Sequence, residues 1–295
     1  MEPDAQLQYR DWSSLSADLS WIYEGPVPEL YREARLTPRF LGGWLVRKGM
    51  VTLRQDGRTH TAKPGEWLIV RQADGEQKFS AEAEILSVRF VAEWPDGKPF
   101  FDDGLSIVLA AREVPALEES ARRLLETVKP IAPPTPVDLR VHGVSLRHFI
   151  EVKARFWEWF GILHDALADR DIHPTRTSIR DERVRAILHT LDQLPLSSRV
   201  REEELARHGG LSIAHFVRLF RDEVGTTPKR YFDDRRREAC RRLLAFSETP
   251  IKEIAIGLGF LRLSDFSAWF KSRHDLSPRN FREQEQRHSA KPNSV

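Results

Sequence analysis

The sequence predicts an α+β chain of more than one domain. An antiparallel β barrel or double-sheet roll stands at the N-terminus, helices follow, and an all-α C-terminal domain is made of two helix-turn-helix units. Three observations predict this. Between Phe40 and Val91 apolar residues recur with a period of two, interrupted by Gly-bearing turns. Past Asp103 the period lengthens to that of helices. In the last third one amphipathic pattern is written twice, fifty residues apart: Phe216, Phe220, Arg221, Thr227, Pro228 and Tyr231 return as Phe266, Phe270, Lys271, Ser277, Pro278 and Phe281. Ahead of each copy a shorter helical stretch ends in glycines, Glu204-Leu205-Ala206 before Gly209-Gly210 and Glu253-Ile254-Ala255 before Gly257 and Gly259. A helix, a tight turn and a second helix with its own apolar stripe form the layout that reads a DNA major groove.

At 295 residues, 40% hydrophobic and 31% charged, the chain can bury two cores. Met1 to Arg10 lacks an apolar signal core, and no run approaches the ~18 apolar residues a bilayer span needs. The expectation is a cytoplasmic protein with no membrane partner. The single cysteine, Cys240, can form no internal disulfide and reads as a small helix-packing residue. A net charge of +2 conceals an asymmetry: 24 Lys/Arg against 18 Asp/Glu from Asp171 onward, 22 against 26 before it. The basic half is the half with the repeats, which favours a polyanionic partner.

In chain order, Met50-Val51-Thr52-Leu53-Arg54 alternates, Asp56-Gly57 is a hairpin turn, and Thr59-His60-Thr61 leads to the turn Lys63-Pro64-Gly65-Glu66. Trp67-Leu68-Ile69-Val70 is the next strand and, after a polar loop, Ile85 to Val91 another. Val114 to Val128 reads as a helix, and the cluster Pro130, Pro133, Pro134, Pro136 interrupts it. Val144 to Leu167 is a long helix with Phe149, Val152, Phe156, Phe160, Leu163 and Leu167 on one stripe, widened by Trp157 and Trp159. So aromatic a helix needs either a large intrachain surface or a second copy of the chain. Residues 170–178 read as a linker, after which Val184, Ile187, Leu188 and Leu191 start the helical domain.

Each repeat has helix starts written into it. Thr227-Pro228, Thr249-Pro250 and Ser277-Pro278 place a capping hydroxyl before a proline at the first helical position. Phe216, Leu219 and Phe220, like Phe266, Trp269 and Phe270, lie three to four apart and face a core. The opposite faces carry Ala214, Val217, Arg218 and Arg221 in the first unit, Ser264, Ser267, Ala268 and Lys271 in the second. Arg218 has the forked donor suited to guanine O6 and N7. Arg221 and Lys271, a turn further on, suit phosphate, and Arg273 is assigned there too. The second unit, with only hydroxyl and methyl groups for readout, is expected to position more than to discriminate.

Ile251-x-Glu253-Ile254-Ala255-x-x-x-Gly259-Phe260, continuing through Ser264, Phe266, Phe270-Lys271, Ser277-Pro278 and Phe281-Arg282, closely resembles the C-terminal signature of AraC/XylS transcriptional regulators. Leu205-Ala206, Ser212, Phe220, Gly225, Pro228, Tyr231, Arg236 and Leu243-Leu244 resemble the matching first half, so the likeness covers about 110 residues. The strand segment resembles the cupin-like sensor domain common in that family. The resemblance implies an effector-sensing cupin-like barrel over residues 1–110 and a helical dimerisation segment over 111–170. A linker at 171–178 and a DNA-binding domain at 179–290 follow, with helix-turn-helix units at about 201–222 and 250–273. It further implies two recognition helices joined by a long helix from Lys229 to Phe246, with base contacts at Ala214, Val217, Arg218, Ser264, Ser267 and Ala268. Double-stranded DNA, a small-molecule effector, a second copy of the chain and RNA polymerase are the implied partners, with no cofactor. Four residues depart from the pattern: Asp275 stands for a usual glycine, Arg235 and Arg237 for usual apolar residues, and Cys240 for alanine. Aspartate tolerates the left-handed conformation better than most residues, so the turn at Asp275 is expected to survive.

Two other readings remain open. A cupin enzyme would gather histidines and a carboxylate on neighbouring strands, but the strand segment offers His60 without an H-x-H pair. A helical protein-interaction module explains the duplication but not its basic outer face. If the barrel takes an effector, Trp44 and Trp67 offer flat faces, and His60 and Arg89 polar anchors.

Overall fold

The computed structural model describes residues 9–36, 41–71, 73–101, 105–132, 138–175, 179 and 181–290. The N-terminal portion runs α1 (Tyr9–Trp12), β1 (Ser16–Pro26), α2 (Glu29–Arg32), β2 (Glu33–Leu36), β3 (Leu41–Lys48), β4 (Val51–Gln55), β5 (Arg58–Ala62), β6 (Glu66–Val70), β7 (Gly75–Phe79), β8 (Glu84–Glu93) and β9 (Ile107–Ala110). Helices α3 (Pro115–Val128), α4 (Leu146–Ala168), α5 (Glu182–Gln193), α6 (Glu202–His208), α7 (Ile213–Val224), α8 (Pro228–Phe246), α9 (Ile251–Gly257), α10 (Leu263–His274) and α11 (Pro278–Ala290) complete it. Two compact units result: a sheet unit of Ser16–Ala92 with Pro99–Thr175, and a helical unit of Arg176–Val295 with Met1–Leu15 and Glu93–Lys98.

In the sheet unit the strands form two sheets, ordered β1-β8-β3-β6-β9 and β2-β7-β4-β5. The expected closed barrel is therefore corrected to the double-sheet alternative, with β1, β9, β2 and β5 left as edges. Burial supplies the reason. Val46, Leu68, Val70 and Ile85 of the larger sheet face Val51, Leu53 and Phe79 of the smaller in one core. On its other face Phe90 packs against Phe156, Trp159 and Phe160 of α4, with centroids 5.8, 5.2 and 5.8 Å away. A sheet covered on both faces has near-continuous apolar strands and need not close on itself, which is why Trp67–Val70 and Ile85–Val91 do not alternate. The smaller sheet does alternate, with Val51 and Leu53 buried and Arg54 exposed in β4.

The Asp56-Gly57 hairpin forms as expected, with φ of 48° and 72°, both on the left-handed side that a two-residue turn requires. β1, β2, β7 and β9 were not expected. β7 is Gly-Glu-Gln-Lys-Phe and owes its place to main-chain pairing with β2 and β4, not to an apolar pattern. In α4 the stripe divides: Phe156, Trp159, Phe160, Leu163 and Leu167 are buried, whereas Leu146, Phe149, Ile150 and Trp157 are exposed. Of the expected linker, residues 176–178 lie outside the described residues. Thr175 before them is tied into the sheet unit, its amide on Phe100 O (2.9 Å) and its hydroxyl on Pro99 O (3.0 Å).

The helical unit has two cores strung on α8. Tyr231 and Phe232, from the start of α8, join Val184, Leu191, Leu205, Phe216 and Phe220. Cys240 and Leu244, from its later turns, join Ile254, Phe266, Phe270 and Phe281. Burial pushes the Cys240 thiol up to about 12, so it is a packing residue and not a reactive thiolate. The unit's segment Glu93–Lys98 is also bonded in: Lys98 Nζ donates to Val224 O (2.6 Å), and Arg242 pairs with the buried Glu93 carboxylate at 2.5 Å. α5 is capped by Asp181, which accepts from the amides of Arg183 (2.9 Å) and Val184 (3.4 Å). The Arg183 side chain first, and these amides with it, hold the Asp181 carboxyl at about 2. A depressed carboxyl stabilises the fold above its unfolded pKa and loses that contribution as pH falls toward its folded one. Acid titration between about pH 4 and 2 is expected to melt the parent more steeply than Asp181→Asn, and equal slopes would remove the cap from the account.

Candidate functional site

Helix starts set the orientation of the two candidate recognition helices, α7 and α10. Ser212 caps α7 through the His215 amide (3.4 Å), Thr227 caps α8 through Arg230 (3.3 Å), and Ser277 accepts from Asn280 N (3.1 Å). Thr249 does not cap α9, contrary to expectation. Pro250 itself, with φ −54° and ψ 138°, stands outside the helix and its carbonyl receives the Glu253 and Ile254 amides, which shifts the start by one residue. At the far ends, α7 stops on Gly225 (φ 78°) and α10 on Asp275 (φ 56°) in matching left-handed caps, as expected of aspartate there.

Phe216 and Phe220, and Phe266 and Phe270, are fully buried, so the opposite faces are presented outward. Ala214, Arg218 and Arg221 are exposed on α7, and Ser264, Ala268 and Lys271 on α10. Two expected positions sit lower. Val217 is half-buried and packs against the first core; Ser267 is half-buried at the equivalent place. Arg273 is held within the domain. Its guanidinium donates to Asp233 of α8 at 3.1 and 2.7 Å and lies 5.0 Å over the Trp269 ring, whose Nε1 donates to the same carboxylate at 3.1 Å. Arg273 thus fastens α10 to α8.

The departures at Arg235 and Arg237 resolve differently. Arg235 is nearly buried and donates to the carbonyls of Leu191, Leu194 (3.3 Å) and Asp192 (2.6 Å) where α5 ends. Arg236 does the same for Leu196 and Ser198, both at 2.6 Å. Arg237 stays on the surface beside Asp234, at 3.1 Å. Sequence reasoning missed several outward residues. His215 Nδ1 lies 3.2 Å from Arg218 Nη2 and orients it, while Leu261, Leu263 and Asp265 are exposed around the start of α10. Their signal was their place in the turn and first helical turn, outside the positions that a repeat alignment selects.

In the sheet unit a cavity of about 90 Å³ opens between the sheets. Trp44 and Arg89 line it. His60 and Trp67 do not. Trp67 is fully buried on the other face of its sheet, its ring 3.3 Å from where a Gly43 side chain would begin, and His60 lies on the edge strand β5. Trp44 pairs with Leu68 and Trp67 with Leu45, and since a one-residue step along a strand reverses the face, the two tryptophans lie on opposite faces.

The geometry defines a pair of helix-turn-helix units on a common helix, and residues 205–284 match the family model described as "Helix-turn-helix domain". Over this domain the chain is similar to helix-turn-helix transcriptional regulators. It is 38% identical over 79 residues to the HTH-type transcriptional regulator Rv1931c of Mycobacterium tuberculosis, covering 27% of this chain and 30% of that protein. To the transcriptional activator RhaS of Klebsiella pneumoniae it is 35% identical over 81 residues, 28% of this chain and 29% of that one. The chain thus spans about a third of the length of these relatives. Among solved structures it is similar to the DNA-binding domain of AdpA in complex with a target DNA. That similarity has 23% identity, a TM-score of 0.33, and covers 37% of this chain and 96% of that one.

Proposed function

We propose that the chain is a sequence-specific DNA-binding transcription regulator. The observation that carries the reading is the pair of outward faces, Ala214-Arg218-Arg221 and Ser264-Ala268-Lys271, at equivalent places on two helices whose cores share α8. At 19 residues α8 runs about 28 Å, the scale of one duplex turn of ~34 Å, which suits two recognition helices in successive major grooves. Arg218, steadied by His215, reads guanine, and Arg221 and Lys271 grip phosphate. The test is affinity for duplex DNA against salt, followed by selection of preferred sites from random duplexes. Arg218→Ala is expected to cost about 1–3 kcal/mol on the preferred site and relax preference at one position. Arg221→Ala is expected to weaken all duplexes alike and flatten the salt slope by about one. Salt-independent binding, or identical effects of the two substitutions, would overturn the assignment.

The remaining roles follow from the sheet unit. Its two sheets make an effector-sensing domain of the cupin kind, supported by the cavity at Trp44 and Arg89. The exposed Leu146, Phe149, Ile150 and Trp157 of α4 support a homodimer, since apolar side chains grouped on one helix call for cover. Effector binding biases a two-state equilibrium between DNA-engaged arrangements, and RNA polymerase is the downstream partner. No helix among the described residues is long and apolar enough to cross a membrane, in keeping with work in the cytoplasm.

A further inference from the structure

The first residue of each candidate recognition helix is a large aliphatic one left half in water. Ile213 opens α7 and Leu263 opens α10, and they are 45% and 46% exposed. One exposed aliphatic side chain is ordinary on a protein surface. Its recurrence at one place in a duplicated unit is not. From Ser212 to Phe220 and from Arg262 to Phe270, exposed, half-buried and buried residues follow one another in the same order, position by position. The match outlasts a difference in the turns. Both turns close on the same bond, Leu211 N to Ala206 O and Phe260 N to Ala255 O, each 2.9 Å. Ser212 follows Leu211 directly, whereas a further residue, the wholly exposed Leu261, stands between Phe260 and Arg262. The second turn is one residue longer, yet its helix still opens on an outward aliphatic residue.

Position decides what such a residue meets. Side chains on a helix tilt toward its N-terminus, so Ile213 and Leu263 lean past the first turn, the end of a recognition helix that reaches base edges. An aliphatic group has no donor or acceptor to offer there. The thymine C5-methyl is the feature of a major-groove edge that it matches; against any other edge it would strip water from a polar atom and return no hydrogen bond. The two units then divide the work differently. α7 combines Ile213 with the forked donor of Arg218, while the outward face of α10 carries Ser264, Ala268 and Lys271, with no forked donor among them. Apolar contact is therefore the larger share of what the second unit can read.

We infer that Ile213 and Leu263 read thymine, each resting on the C5-methyl of one thymine in its own groove, so that the preferred duplex carries two thymines about 10 base pairs apart. The inference rests on the reading of the chain as a DNA-binding regulator and names part of the sequence that it selects. The full chain selects its preferred duplex from a random pool, and each thymine of that duplex is then replaced in turn by deoxyuridine, which lacks that methyl and is otherwise the same. Anisotropy is expected to show binding about threefold to fivefold weaker at one thymine in each groove, the worth of one buried methyl. Ile213→Ala should weaken binding of the selected duplex and abolish the deoxyuridine effect at one of these thymines while keeping it at the other. Leu263→Ala should do the reverse. Alanine is a strong helix former and both side chains are half in water, so the melting temperature should stay near that of the parent. A selected duplex without thymines at that spacing, indifference to deoxyuridine, or deoxyuridine effects that persist in both variants overturns the inference. The two readings fail separately. Salt-dependent binding whose preference Arg218→Ala relaxes, with indifference to deoxyuridine, sinks the methyl readout and sustains the regulator, whereas a chain that grips no duplex sinks both.

Discussion

Arg235→Met is expected to lower the stability of the helical unit by about 2–4 kcal/mol, read from urea unfolding. The guanidinium supplies donors to three carbonyls at the end of α5, where the last turn of a helix leaves its acceptors without intrahelical partners. It also stands 3.8 Å from the buried Asp192 carboxylate, which accepts from Tyr231 Oη at 2.5 Å, and lies 5.4 Å over Phe232. Methionine keeps an apolar stem of similar length but loses the cation over Phe232 and leaves the carbonyls and the carboxylate without those donors. Arg235→Lys should recover less than half of the loss, because a compact ammonium cannot span three acceptors. Arg237→Met, at a half-exposed pair, is the control and should cost under about 1 kcal/mol. If Arg235→Met and Arg237→Met prove equal, the clamp between α8 and α5 contributes nothing.

Gly259→Ala is the second large effect, about 2–4 kcal/mol in stability with a matching loss of DNA affinity. Its φ is 84°, and an added Cβ would stand 2.7 Å from Ser197 O and 3.0 Å from Ser197 Cα. Both neighbours are backbone, so neither a rotamer change nor a small slide relieves the overlap. The turn between α9 and α10 would have to lift, taking α10 with it. Gly210, at the same place in the first unit, has φ 64° but nothing within 4 Å of its would-be Cβ. Gly210→Ala should therefore cost only the conformational strain, about 1 kcal/mol. Thermal unfolding of both variants, with circular dichroism to check helix content, distinguishes a packing cost from a dihedral one. Equal losses would mean that the approach of Ser197 to Gly259 is of no consequence.

Most of the helical unit was legible because its determinants are local. Ser212, Thr227 and Ser277 cap within three residues, Gly225 and Asp275 end their helices in one conformation, and the spacing of Phe216 and Phe220 already selects a face. The sheet unit was less legible. β7 has a polar sequence that becomes a strand only through its partners, and Ser16 to Pro26 carries no clean alternation because some of its residues meet solvent and others the core.

Alone, the sequence determined the duplicated helical reading heads, the starts of α7, α8 and α11, their buried stripes and their left-handed stops, since each depends on atoms at most four residues apart. The tertiary structure decided which sides of the strands meet. It put Trp44 and Arg89 on the cavity and Trp67 behind it, drew Arg273 to Asp233, and turned Arg235 inward onto the end of α5. These placements depend on strand register and on partners some 40 or more residues away, where a long polar side chain goes to whichever acceptors packing has left unsatisfied.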